Sequence, residues 1–393
     1  MIYNDYILVT ETKNLRSNDM NKSILCSGDT SYTVYIPWET ETPIGSLLNF
    51  VVISKGINIH LDVHNHHLLY LDIGVDSGRY SLTILFTKEG WIQIADVVNS
   101  RNGYVYGGSQ GVGSYMYDCD QYNSNIDIWT SKMDGGAGAS NLAASTIFDK
   151  GYKYGGFGGW GTPYSFNICY EYTPKTNSWT SKTQFPAPNR HNLSAMTIDN
   201  KGYIIAGYNS DTSMHLQDCD EFDAEANTWV SITDTPSPAR EGATAPSSGW
   251  GGHIIGGTNG GYLYDCDQLY NYSWIAKPNL PYPSRAFLAS TNMNNRNYIF
   301  GGCGDDGGTG NVVLNDCDEF SGGYHWYSRA SMPAPARGHL AASAIDGKSY
   351  IYGGTNTAGD EKYKDCDEYI HDTWTSKSDM PDPARSDLAA STI

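Results

Sequence analysis

Nowhere in the 393 residues does an apolar run approach the roughly 18 that a membrane-spanning helix needs, so no such span is expected. The opening, MIYNDYILVTETKNLRSND, has neither a basic start nor an apolar core, which argues against a signal peptide. Positive charge is scarce: 25 Lys and Arg face 43 Asp and Glu, a formal net charge of −18. The acidity is spread, with six basic against eleven acidic residues in 1–98 and nineteen against thirty-two in the rest. A surface of this kind repels phosphate backbones and anionic lipid. Neither a nucleic-acid partner nor membrane insertion is expected, and the charge reads as solubilising. Cysteine is thin too. Of eight, six recur at one place in a repeat, and nothing pairs the other two, Cys26 and Cys303.

What is abundant is Gly (43), Tyr (30) and Trp (10), the composition of many short strands joined by tight turns. From residue 103 onward a strand ending in a small pair recurs as YVYGG (from Tyr104), YKYGG (Tyr152), YIIAG (Tyr203), HIIGG (His253), YIFGG (Tyr298) and YIYGG (Tyr350). Each is followed by a Gly-rich loop and then DCDQY, ICYEY, DCDEF, DCDQL, DCDEF or DCDEY. A Trp follows in turn: Trp129, Trp179, Trp229, Trp274, Trp326 and Trp374, spaced 50, 50, 45, 52 and 48 residues apart. P-x-P-x-R comes next in five of six copies, then a small-residue strand such as LAAST.

A period near fifty with four strand-like segments is what a propeller blade needs. The pattern resembles the kelch repeat, over about three quarters of the chain. That resemblance implies an all-β, six-bladed propeller over residues 99–393. Labelling strands A to D from axis to rim, the chain order is B-C-D, then A of the next blade. The last residues, LAASTI, are then the sixth A strand, and their vacant place is beside YVYGG of the first blade. WIQIADVV (Trp91–Val98) is a rival for that place. Closure by the C-terminus would protect two open sheet edges.

The repeated residues read as structural. The recurring Cys (Cys119, Cys169, Cys219, Cys266, Cys317, Cys366) are too far apart for disulfides and read as small buried apolar groups. The Asp residues of DCD read as satisfying turns at the start of the strand. Glu171, Glu221, Glu319 and Glu368 are followed by Arg190, Arg240, Arg337 and Arg385, which suggests buried Glu–Arg pairs. The first copy loses both charges, with Gln121 and Ala139, while the fourth carries Gln268 but Arg285.

The loops after the Gly pair differ in every copy, the arrangement of a recognition surface on a constant scaffold. Tyr115, Phe157, Trp160, Tyr164, Tyr208, Tyr262 and Tyr363, with His215, Asp305 and Asp306, are the candidate ligand-binding residues. Flat aromatic faces among Asn, Asp and Gly suit a sugar. The histidines fall at mostly unequal places and no acid/base pair stands out, so neither an enzyme nor a cofactor is expected.

Residues 31–97 alternate or run apolar between ETPIG, SKG, VDSGR and KEG turns. Through YIP (Tyr35–Pro37), PIGSLLNFV, GINIHL and YSLTILFTKEGWIQIAD the segment resembles a small β-domain of tailed-phage fibres and head fibres. The resemblance implies a symmetric, often trimeric virion module joining an anchor to a distal domain. Residues 1–30 would be the virion-anchoring segment and 31–98 a β-sandwich-like connector. His60, His64 and His66, with Asp62, would share one face of a strand, a weak metal candidate beside the reading of a polar hairpin end.

Together these readings give a phage fibre, head fibre or decoration protein, assembled with other virion proteins in the host cytoplasm as a homo-oligomer. Its propeller would bind a host-surface glycan or receptor. The alternatives are a purely structural capsid or tail protein, or a cellular kelch adaptor or sugar-modifying enzyme.

Overall fold

The structure, a computed structural model, describes residues 101–393 except 112, 160–163, 249–250, 306–310, 322 and 358, and of residues 1–100 the backbone of nine strands. The chain divides into two units, Met1–Ser100 and Arg101–Ile393. In the described residues every regular element is a strand. Among the described residues no helix is long and apolar enough to cross a membrane.

The first unit holds a five-stranded and a four-stranded sheet. Tyr6–Val9 and Ser23–Cys26 run parallel to Leu47–Val52 in one, and Lys13–Asn14 runs parallel to Tyr32–Ile36 in the other. Three strands among the first thirty residues, Tyr6–Val9, Lys13–Asn14 and Ser23–Cys26, thus belong to these sheets. Gly90–Val97 pairs with Tyr80–Thr87, not with the repeats. His64 and His66 lie outside the described residues, and for His60 only the backbone of Ile59–Val63 is described.

The second unit is propeller-like: six four-stranded antiparallel sheets, each ordered A-B-C-D. The second sheet is typical, with Ala143–Ile147, Lys150–Tyr154, Cys169–Thr173 and Ser178–Ser181. The first sheet takes its innermost strand from the end of the chain: Ala389–Thr392 pairs with Gly103–Tyr106, Gly103 opposite Thr392. That strand lies beside both Ala143–Ile147 and Ala341–Ile345.

Apolar core fills the space between adjacent sheets. Tyr106 of the first sheet meets Trp179 of the second edge-on at 5.4 Å, and Trp229 meets Tyr154 likewise at 5.8 Å. All six C-strand cysteines are free and 1–2% exposed, the apolar role expected of them. Every outer Trp donates its indole N–H to a carbonyl of the preceding sheet's exit segment, from Trp179 to Met133 O (2.7 Å) through to Trp129 and Ser378 O (2.7 Å).

The buried arginines reach elsewhere than expected. Arg190 pairs with Asp220, Arg285 with Asp318, Arg337 with Asp367 at 2.5 Å, and Arg385 with Asp120. Arg240 stands 3.8 Å from Asp267. Each Arg follows one sheet and meets the second Asp of DCD in the next, so the pairs join sheets. Those Asp are therefore ion-pair partners, where the sequence suggested turn groups.

The Glu residues instead bind B-strand groups of their own sheet. Glu171 accepts from Lys150 (2.7 Å) and Tyr152 (2.6 Å), and Glu221 from Lys201 and Tyr203 (both 2.6 Å). Glu319 binds Arg296 (2.9 Å) and Glu368 binds Tyr350 (2.6 Å). A side chain two residues along a strand points to the same face, but the sheet that supplies its partner depends on how blades stack. The fourth copy is then no exception, since Arg285 belongs with Asp318 of the fifth. The real double loss is Ala139 in the first copy with Tyr170, where the second copy replaces Asp. Buried Lys153 fills the gap, donating to Gly135 O (2.8 Å) and Ala137 O (3.1 Å) with Nζ 4.9 Å from the Trp179 ring.

Candidate binding site at one end of the sheet axis

After the B strands the chain passes so close to its neighbours that glycine fills both places in five copies, with Ala206 (φ 57°) at the first place in the third. A Cβ on Gly107 (φ 58°) would lie 2.5 Å from Ala139 O, and one on Gly108 (φ 108°) 2.8 Å from Ser386 O. This contact brings the B–C loops against the D–A segments at one end of the unit. One residue per copy, just before the innermost strand, turns there into the left-handed region: Asn141, Asn192, Gly242, Phe287, His339 and Asp387, with φ of 51–61°. Each donates its N–H to the carbonyl of its predecessor, from Asn192 to Asn141 (2.8 Å) round to Asn141 and Asp387 (2.8 Å), so six peptides close a hydrogen-bonded circle. A cavity of about 80 Å³ lies within it, room for a few waters.

Side chains on the circle form one polar network. Asn141 Nδ2 donates to Asn192 Oδ1 (2.7 Å) and to Asp387 Oδ1 (2.9 Å), and Asn192 Nδ2 to Glu241 Oε2 (2.7 Å). His215 Nε2 lies 3.3 Å from Glu241 Oε1. His339 Nδ1 is 2.5 Å from Asp387 Oδ1, and its ring stacks on Phe287 at 4.1 Å and 12°. Burial opposes charge on His339, but the Asp387 carboxylate outweighs it and pushes the ring up to about 10. Burial likewise opposes charge on Asp387, while His339 and the Ser386 hydroxyl hold the carboxyl below its usual range.

Outside the circle, rings make an arc over the first three sheets. Tyr115 meets Phe157 at 5.9 Å, Phe157 meets His191 at 4.8 Å, His191 meets Tyr208 at 5.5 Å, and Tyr208 meets His215 at 5.2 Å. Burial lowers His191 to about 4, so that ring is neutral near pH 7. On the far side a groove of about 390 Å³ is lined by Tyr262, Phe287, Asp305, Asn311, Ser284 and Thr258 among others. That volume is ligand-sized. Phe287 borders both the groove and the central cavity.

The expected residues therefore separate. Tyr115, Phe157, Tyr208 and His215 come together in the arc, and Tyr262 and Asp305 in the groove. Tyr164 stands apart against Phe166 at 5.1 Å, and Tyr363 apart with Glu361. Trp160 and Asp306 lie outside the described residues. The circle itself was missed. Its signal is the residue before the conserved-size Leu or Ala of each innermost strand: NL, NL, GA, FL, HL and DL at one place in six copies.

No family model and no curated protein matches the chain. The solved structure of YjhT is similar in fold, with a TM-score of 0.59 at 17% identity, covering 70% of this chain and 96% of that one.

Proposed function

We propose that residues 101–393 are a closed six-bladed propeller of the kelch type whose loop end binds carbohydrate, carried by a phage virion protein that displays it to a host surface. The observation that supports carbohydrate most is the groove, which two aromatic residues, Tyr262 and Phe287, line together with the polar residues Asp305, Asn311 and Ser284. A pyranose presents an apolar face ringed by hydroxyls, and such a mixture of aromatic faces and fixed polar groups complements both. The virion assignment is supported by the motif resemblance of residues 31–97, and the N-terminal unit would carry the assembly contacts with other virion proteins.

Screening the full chain on a glycan array, followed by titration calorimetry on the strongest hit, tests the binding reading. Tyr262→Ala and Phe287→Ala should each weaken binding about tenfold, or about 1.4 kcal/mol, while Tyr164→Ala leaves it unchanged. A blank array would favour the purely structural reading, in which the loop end packs against neighbouring subunits. Capsid, portal and tail genes beside the coding sequence, and the chain itself in purified particles, would bear out the virion assignment.

A further inference from the structure

The arc and the groove are one continuous feature of the loop end. The arc ends on His215, whose Nε2 lies 3.3 Å from Glu241 Oε1. Glu241 and Thr258 exchange both backbone hydrogen bonds, at 3.0 and 2.9 Å, and Thr258 lines the groove with Tyr262, Phe287 and Asp305. The path therefore runs from Tyr115, after the first B strand, to Asp305, after the fifth, and every ring on it is half-buried. Along the arc neighbouring rings are inclined at 48–79°. Each ring is braced by the next, so the row is set in advance and loses little side-chain freedom when something lies on it. Its backbone and its charge limit what that can be. Phe157 exchanges backbone hydrogen bonds with Ser140, and His191 with Tyr208, as Glu241 does with Thr258. These residues offer no ladder edge to an extended peptide. The carboxylates of the path are Glu241 and Asp305, and no Lys or Arg stands among its residues, so an acidic chain meets repulsion that nothing there offsets.

We propose that arc and groove form one track for a neutral glycan chain, bound along several successive sugar units. The arc rings, with centroids 4.8–5.9 Å apart, meet successive units, while Glu241 and Asp305 accept hydrogen bonds from hydroxyls. This rests on the carbohydrate reading of the groove and extends it. The groove alone holds a short sugar, at about 390 Å³. Once one unit is seated there, contact of a linked unit with the arc is intramolecular, so affinity grows with chain length until the track is full.

The test titrates the full chain at pH 7 with glucan, galactan, mannan and chitin oligosaccharides of two and six units, and with a six-unit oligogalacturonate as the acidic counterpart. At least one neutral hexamer should bind ten or more times tighter than its dimer, and the oligogalacturonate should not bind. Phe157→Leu and Tyr208→Leu remove a ring and keep apolar bulk. Each should weaken the hexamer about tenfold and leave the dimer unchanged, whereas Tyr262→Ala should weaken both lengths and Tyr164→Leu neither. Melting curves matching wild type show that the variants are folded. Equal affinity for dimer and hexamer, or hexamer binding untouched by both arc variants, would overturn the track and leave the groove standing as a sugar site. Oligogalacturonate binding as tightly as the best neutral hexamer would overturn the choice of a neutral chain. Binding of no oligosaccharide at either length would overturn the inference outright, and with a blank glycan array the carbohydrate reading would fall as well.

Discussion

At the scale of single residues, Lys153 is the most informative side chain. It is 2% exposed and takes the space that an Arg–Asp pair fills between the other sheets. Burial lowers its ammonium to about 8, against about 10.5 in an unfolded chain. Between those values the unfolded state binds more protons than the folded one, so this group makes stability rise with pH across the window. Lys153→Met removes the effect. The melting-temperature difference, wild type minus variant, should therefore increase from pH 7.5 to pH 9.5 when both are followed by circular dichroism. Buried cysteines and tyrosines, which burial raises above this range in the folded protein, affect both proteins alike and cancel; a flat difference would show that Lys153 keeps its ordinary affinity for protons. The compensation was half legible in the sequence. Ala139 announced a missing charge, but its absent partner was sought at Gln121, in the same copy, and is Tyr170 in the next. The Glu at that C-strand place is a separate device: burial opposes ionisation of Glu171, yet Lys150, Lys182 and Tyr152 hold it down to about 2.

Between elements, the same ties recur: the backbone circle at the axis and the indole-to-carbonyl bond at the rim at all six junctions of sheets, and the Arg–Asp pair at five of them. Repeat alignment makes the members of these ties visible, because each occupies a fixed place in a fifty-residue unit. It does not say which unit supplies the partner, since a side chain at the exit of one sheet lies in sequence between its own C strand and the following one, and nearness in sequence favours the wrong one. The arginines show the consequence: right residues, right burial, neighbouring carboxylate. The pairing makes a prediction that sequence proximity does not. Arg385 and Asp120 are 265 residues apart and join the last copy to the first. Removing one partner of a buried pair leaves an uncompensated charge and costs about 3–5 kcal/mol. Arg385→Ala should lose about as much as Arg190→Ala, whose partner Asp220 is 30 residues away, in urea unfolding monitored by Trp fluorescence. A much smaller loss for Arg385→Ala would mean that the junction of last and first sheets is looser than the internal ones.

For the whole molecule, the question is what the final strand contributes. The loop end depends on it: Asp387 closes the peptide circle and holds His339, and Ala389–Thr392 follows directly. The strand also supplies Ser391, whose hydroxyl is 2.8 Å from that of buried Tyr106. Deleting residues 389–393 leaves Gly103–Tyr106 as an open edge and uncovers the inner faces of the first, second and sixth sheets. Unpaired edges invite pairing with other chains, so the shortened protein should melt more than 10 °C below the full chain and elute as larger species in size-exclusion chromatography. The rival segment Trp91–Val98 sharpens the experiment, because it offers a similar strand that could fill the vacated place. In the structure its strand, Gly90–Val97, is hydrogen-bonded to Tyr80–Thr87 in a different sheet, and taking the innermost position would require breaking that ladder. A shortened chain that stays monomeric with an unchanged melting temperature would show that the N-terminal strand substitutes, and would transfer closure of the circle from one end of the chain to the other.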